Sequence, residues 1–292
     1  MPPENSFAIG AIEGTLWTAR QQHDGKGVFH VIKKLRKLAF RFGYDFTLRR
    51  LPQLDTKRRV LDVPRDMEPE FVNFYEASRE YTMTSVERMH SVYQGVRHVI
   101  NQGIAGDFVE CGVWRGGSCM IIARTLMALG ETSRRIHLFD TFAGMTKPGD
   151  IDRRSRDGAE MISRWEHFQR EDHNGWTFAS LDEVRANMAT TGYPMENVVF
   201  VKGEVENTLP DRAPERIALL RLDTDWYQST YHELVHLWPR MTPGSALLLD
   251  DYGSFDGARK AVDQYLEEND IGLFLHRVDS TGRIALKPTE TS

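Results

Sequence analysis

Hydrophobic positions along this chain fall into short runs that alternate with longer stretches of helical periodicity. Leu219–Leu222 and Ala246–Leu249 are the clearest runs, and each ends directly in acids: Asp223 and Asp225 after the first, Asp250 and Asp251 after the second. Apolar runs of this length suit parallel strands covered on both faces. Upstream, FVECGVWRGGSCMIIARTLMALG reads as a strand, a glycine turn and an apolar helix. RRIHLFDTFAGM supplies a second strand ending at Asp140, and NVVFVKGEVENTLP a third ending near Gly203 and Glu204. This strand–helix–strand order predicts an α/β fold with a doubly wound, mostly parallel sheet, whose ligands bind beyond the carboxyl ends of the strands. Two helices precede it, one in EPEFVNFYEASRE and one from about Ser85 to Ile100, with Thr82 or Thr84 as cap and Glu87 completing a capping box on Thr84. GARKAVDQYLEENDI reads as a last helix, and FLHRVDSTGRIALKP as two strands turning about Ser280–Gly282.

A chain of 292 residues, 40% of them hydrophobic, can bury the core of one large domain with an extension. The extension is set apart by charge. Residues 20–60 carry twelve Lys or Arg against Asp24, Asp45 and Asp55, close to +9, which leaves the remainder near −14. Within that arm Val31, Leu35, Leu38 and Phe42 share one helical face while Lys33, Lys34, Lys37 and Arg41 lie mostly elsewhere, as expected for a helix packed on the body or a second subunit with a solvated basic face; contact with a membrane surface or an acidic ligand is the alternative. The division expected is therefore an N-terminal helical arm over 1–70 and a main domain over 71–292. A net charge of −5 argues against nucleic acid as partner. No stretch is long and apolar enough for a membrane span, and the N-terminus lacks the basic start and apolar core of a secretion signal, so a cytoplasmic location is expected. Cys111 and Cys119 lack metal-site spacing and are read as packing residues.

Four carboxylates at two strand ends repel one another unless a cation sits among them, and oxygen-only ligands favour a hard ion such as Mg²⁺. The plain alternative is that each acid caps the helix after it. The glycine turn at Gly112, Gly116 and Gly117 matches neither a dinucleotide nor a P-loop pattern. Glu110 just before it and Asp140 at the next strand end suit ribose hydroxyls and a ligand carrying an amine and a sulfonium, and they repel polyphosphate. Trp226, Tyr227 and Tyr231 could wall an acceptor pocket or lie on a buried helix face. His137 is read as packed. The polar stretch 146–176 is long for a loop without function and is read as a mobile lid over the acceptor.

The blocks FVECGVWRGGSCMIIA, LFDTFAGM, LDTDWYQSTYHELVHLWPRMTPGSALLLDDYG and GARKAVDQY together resemble the macrocin O-methyltransferase (TylF-like) family, which methylates sugar hydroxyls of macrolides, aminocoumarins and related glycosides. The resemblance runs from about Tyr81 to Tyr265. It implies a Rossmann-like class I methyltransferase fold with an N-terminal helical extension, S-adenosylmethionine and Mg²⁺ as cofactors, and a glycoside acceptor in antibiotic biosynthesis. It further implies a homo-oligomer, with the N-terminal region contributing to acceptor pocket and subunit contacts. By motif, Glu110, Gly112 and Ser118 would line the methionine and ribose region, Asp140 would hold the ribose, Thr82 would close over the cofactor and Glu204 would meet the adenine. Asp223, Asp250 and Asp251 would hold the metal, and Asp225 would be the general base. Two other readings fit the residues: a catechol-type enzyme methylating a phenolic diol, and a non-enzymatic module that only binds a metal or nucleotide.

Overall fold

The computed structural model describes residues 63–289. The basic arm, with its amphipathic face at Val31, Leu35, Leu38 and Phe42, lies outside them. Seven strands form one sheet in the order β5-β2-β1-β6-β7-β9-β8. Its parallel part is β1 (Asp107–Cys111), β2 (Ile136–Asp140), β5 (Val198–Lys202), β6 (Ile217–Leu222) and β7 (Met241–Leu249). The antiparallel edge is β8 (His276–Arg277) and β9 (Arg283–Leu286), the closing pair expected about Ser280–Gly282.

Alternation along the strands divides the apolar residues between two cores. Phe108, Leu138, Leu219 and Leu248 face one side. There they pack with α2 (Val86–Asn101), α3 (Gly117–Ala128) and α5 (Leu181–Ala189). Val109, Phe139, Leu220 and Leu249 face the other, against α7 (Tyr227–Leu237) and α8 (Asp256–Glu268). Burying one such side chain stabilises the fold by about 1.5–3 kcal/mol, so double coverage explains runs that are apolar on both faces except at a few paired residues such as Glu110 and Arg221. The shorter helices are α1 (Pro69–Ser78), which spans position 70, α4 (Ile162–Phe168) and α6 (Val205–Thr208).

Register positions the chemistry. Cys111 lies beside Leu222, and Leu222 beside Leu249. The residues that follow, Gly112, Asp223 and Asp250, therefore emerge abreast at one edge of the sheet.

The second helix starts one residue from where the capping pattern places it. Ser85, rather than Thr84, is its N-cap and accepts from the Arg88 N–H, while the Thr84 hydroxyl donates to Asp250 Oδ1 at 3.1 Å. The stretch 146–176 is not a structureless lid. It holds a small hairpin, β3 (Arg153–Arg154) with β4 (Ala159–Glu160), and then α4. It is fastened to the body: the Asn174 N–H donates to the Ala143 carbonyl at 2.8 Å, the Ser155 N–H to the Ser254 carbonyl at 2.8 Å, and the Ser155 hydroxyl to Asp256 at 2.7 Å. No described helix is long and apolar enough to cross a membrane.

Candidate active site

The strand ends open into a cleft of about 350 Å³. Of the residues singled out in the sequence, Thr82, Gly112, Ser118, Asp140, Glu204, Asp223, Asp225, Asp250 and Asp251 line it, and Glu110 does not.

One wall is the glycine turn. Gly112 has φ +79, and a Cβ there would overlap the Asp223 carbonyl oxygen, so the β1 turn can lie against the end of β6 only with glycine. Asp140 straps this turn from the neighbouring strand. Its carboxylate accepts from the backbone N–H groups of Val113 at 2.8 Å, Trp114 at 3.1 Å and Phe142 at 2.7 Å. Burial raises its pKa and these bonds oppose the rise. A carboxylate has about four acceptor sites; the Thr141 hydroxyl comes only to 3.4 Å from Oδ1 and gives its proton to the Gly144 carbonyl at 2.7 Å, so the fourth is open to a ligand hydroxyl.

Glu110 departs from its expected place because its carboxylate turns under the turn rather than into the cleft. Fully buried, it pairs with Arg221 at 2.6 Å and accepts the Ser118 hydroxyl and, at 3.0 Å, the Cys119 thiol. Burial raises both cysteine pKa values, so Cys111 and Cys119 are buried thiols, as packing residues should be.

The far wall is the acid cluster. Asp223, Asp250 and Asp251 each offer an oxygen within 4.8 Å of the others. Strand β6 stops at Leu222, so Asp225 does not reach the cleft by strand alternation. A left-handed backbone at Asp225, φ +68, swings it there, a strained conformation of the kind found at functional sites. Burial, then the neighbouring Asp223 charge, pushes the Asp225 carboxyl up to about 8, with a hydrogen bond to Asp251 opposing. Burial likewise holds Asp223 and Asp251 well above the usual carboxylate range. Two arginines offset part of this charge: Arg221, and Arg88, which pairs with Asp250 and, at 3.0 Å, with Asp279. One atom stays unmatched. Asp251 Oδ2 is buried without a hydrogen-bond partner. A hard cation among these oxygens would satisfy it, so the donor set fits Mg²⁺.

Sequence reasoning missed the aromatic wall. Trp226 is buried, its indole N–H donating to the Thr146 carbonyl at 3.0 Å. Trp176 and Phe255 line the cleft instead, each edge-on to Trp226 at centroid distances of 5.7 and 5.1 Å. Tyr227 and Tyr231 stack on each other and bond α8 through Gln264 and Glu268. His137 is packed against Asp107 at 3.0 Å.

Parallel strands with their ligand crevice at the carboxyl ends and a glycine turn after the first of them make this a Rossmann-like class I methyltransferase fold. The chain belongs to the macrocin O-methyltransferase (TylF) family, whose model matches residues 50–286, and it is an O-methyltransferase. It is 34% identical over 76% of its length, and 82% of the relative's, to the 8-demethyl-8-(2,3-dimethoxy-alpha-L-rhamnosyl)-tetracenomycin-C 4'-O-methyltransferase of Streptomyces olivaceus. Mycinamicin III 3''-O-methyltransferase of Micromonospora griseorubida is 32% identical over 69% of this chain and 76% of its own. Among solved structures, the O-methyltransferase NovP matches with a TM-score of 0.63 and 30% identity, over 72% of this chain and 83% of its own.

Proposed function

We propose that this enzyme transfers the methyl group of S-adenosylmethionine to a sugar hydroxyl of a glycosylated natural product, assisted by Mg²⁺. The observation that carries the reading is the meeting, across one cleft, of a glycine turn and a cluster of carboxylates in which Asp251 Oδ2 has no partner. The tetracenomycin and mycinamicin relatives, both sugar O-methyltransferases, support the acceptor class.

Asp223, Asp250 and Asp251 would hold the cation, and Thr82, Gly112, Asp140 and Glu204 would line the cofactor's place, with Asp140 offering its remaining acceptor site to a ribose hydroxyl. Bound there, Mg²⁺ supplies the positive charge that keeps the crowded acids ionised and polarises the acceptor hydroxyl, and the sulfonium supplies an activated methyl group. A sugar hydroxyl is a poor nucleophile at neutral pH, so its proton must leave as the new O–C bond forms. Asp225 takes that proton. The walls on both sides of the cleft would hold acceptor and cofactor together, so that the O–C bond could form as the methyl–sulfur bond breaks. Phe255, and Trp176 with the Arg164 guanidinium 4.5 Å over its ring, line the side of the cleft where a sugar ring can pack.

The test is incubation with S-adenosylmethionine, Mg²⁺ and a panel of deoxysugar glycosides beside phenolic diols, with gain of one methyl group read by mass spectrometry. Turnover of the diols alone would overturn the sugar assignment. Calorimetry should show tighter binding of S-adenosylmethionine than of NAD or ATP. Asp140→Ala should weaken it by roughly 1.5–3 kcal/mol, the range for a hydrogen bond to a charged group. Trp176→Ala should raise the acceptor KM roughly tenfold, about 1.4 kcal/mol of lost contact, and leave cofactor affinity unchanged. A cofactor affinity that falls as well would move Trp176 off the acceptor wall.

A further inference from the structure

Arg221 sits inside β6, one residue before the strand ends, and its side chain is 3% exposed. A guanidinium in that position costs several kcal/mol of desolvation unless it is fully paired, and an apolar residue of similar volume would often leave the fold as stable or more so. Its partners come from three adjacent strands. Nη1 donates to Glu110 Oε1 at 2.6 Å, from β1, and to Asp223 Oδ2 at 2.7 Å, at the end of β6 itself. Nη2 donates to Asp250 Oδ1, at the end of β7. Burial acts to lower the Arg221 pKa, and the three carboxylates more than offset it. Glu110 is the anchor of the group. It stands directly beside Arg221 in the β1–β6 register and also accepts from Ser118 and Cys119 in the first turn of α3.

Building on the metal reading above, we propose that Arg221 is a positioning residue for the cation site. Its planar fork, braced by Glu110, fixes one oxygen of Asp223 and one of Asp250 and so sets the spacing of two carboxylates that would otherwise repel each other apart. Glu110, buried and outside the cleft lining, acts through Arg221. A lysine could carry the charge but not the geometry, since one ammonium point charge cannot hold three carboxylates in the plane of a fork.

The experiment is calorimetric titration of Mg²⁺, and separately of S-adenosylmethionine, into the full-length wild-type protein and two variants. Arg221→Lys should bind Mg²⁺ about 10- to 100-fold more weakly, the range for loss of a group that orients metal ligands, with S-adenosylmethionine affinity within about twofold of wild type. The double variant Arg221→Met with Glu110→Gln removes the buried charges together and covers the case in which the lysine variant does not fold. It should show the same split. Mg²⁺ affinity equal to or tighter than wild type in either folded variant overturns the inference. So does a parallel loss of Mg²⁺ and S-adenosylmethionine, which would make Arg221 a general support of the fold. If the wild-type protein itself binds no Mg²⁺, the metal reading fails and the inference fails with it.

Discussion

Asp251→Asn is expected to abolish methyl transfer and, in the same protein, to raise the melting temperature measured in EDTA. Asp251 is buried, one of its oxygens has no partner, and the charges of Asp225 and Asp250 add to burial in holding its carboxyl well above the usual range. An amide of the same shape removes that repulsion. Each kcal/mol relieved should move the melting temperature by about 2–4 °C in a domain of this size. The same change takes a charged oxygen from a site the protein would fill incompletely, a loss that hard-cation binding tolerates poorly. Wild-type protein should gain about 2.7 kcal/mol of stability at Mg²⁺ a hundredfold above its Kd, and Asp251→Asn should gain nothing. EDTA should silence the wild-type enzyme and Mg²⁺ restore it. Methyl transfer that is indifferent to EDTA, with Asp251→Asn active, would return the acids to the role of helix caps.

Asp225→Asn should behave differently, because it touches the proton and not the cation. Mg²⁺ and S-adenosylmethionine binding should stay near wild type while kcat falls about 10²- to 10⁴-fold, the usual worth of a positioned base. The pH profile separates this from a structural effect. A base must be ionised, so wild-type activity should rise with pH through the Asp225 ionisation, which burial and Asp223 displace upward in the cation-free protein and a bound cation would draw back down. The residual activity of the asparagine variant should lack that rise. A variant that turns over at the wild-type rate, with the wild-type profile, would remove Asp225 from the chemistry.

The sheet was legible from the chain because strands covered on both faces read as mostly apolar runs, and because each was followed by or ended in glycine or acid where the chain leaves the core. The acids were legible for the same reason, since residues that directly follow aligned strands must emerge abreast. The aromatic wall was not. Trp176 is fifty residues from Trp226, and no periodicity links a segment crossing the mouth of the cleft to the strands beneath. Arg221 did leave a signal that patterning passes over. A cation set within Leu219–Leu222 must find buried carboxylates on its neighbours, and Glu110 was the acid inside the adjacent strand. That demand draws Glu110 under the turn and out of the cleft lining. The cap was misplaced because Thr84 and Ser85 both suit an N-cap, and only the cleft shows that the threonine hydroxyl bonds Asp250.

The fastening of 146–176 bears on how acceptor preference could be exchanged between relatives. Asp152 is buried and accepts from the Tyr227 N–H at 2.8 Å, two residues beyond Asp225, and from the Gly149 N–H at 2.7 Å. Its carboxylate lies where a Cβ on Gly257 would be, so the crossing segment, the start of α7 and the start of α8 interlock at one point. A transplanted segment would then bring its aromatic face into register with the base loop only if the donor carries the aspartate and the recipient the glycine. Chimeras cut inside 146–176 should inherit neither parent's substrate range, whereas those exchanging the whole stretch with both residues matched should inherit the donor's.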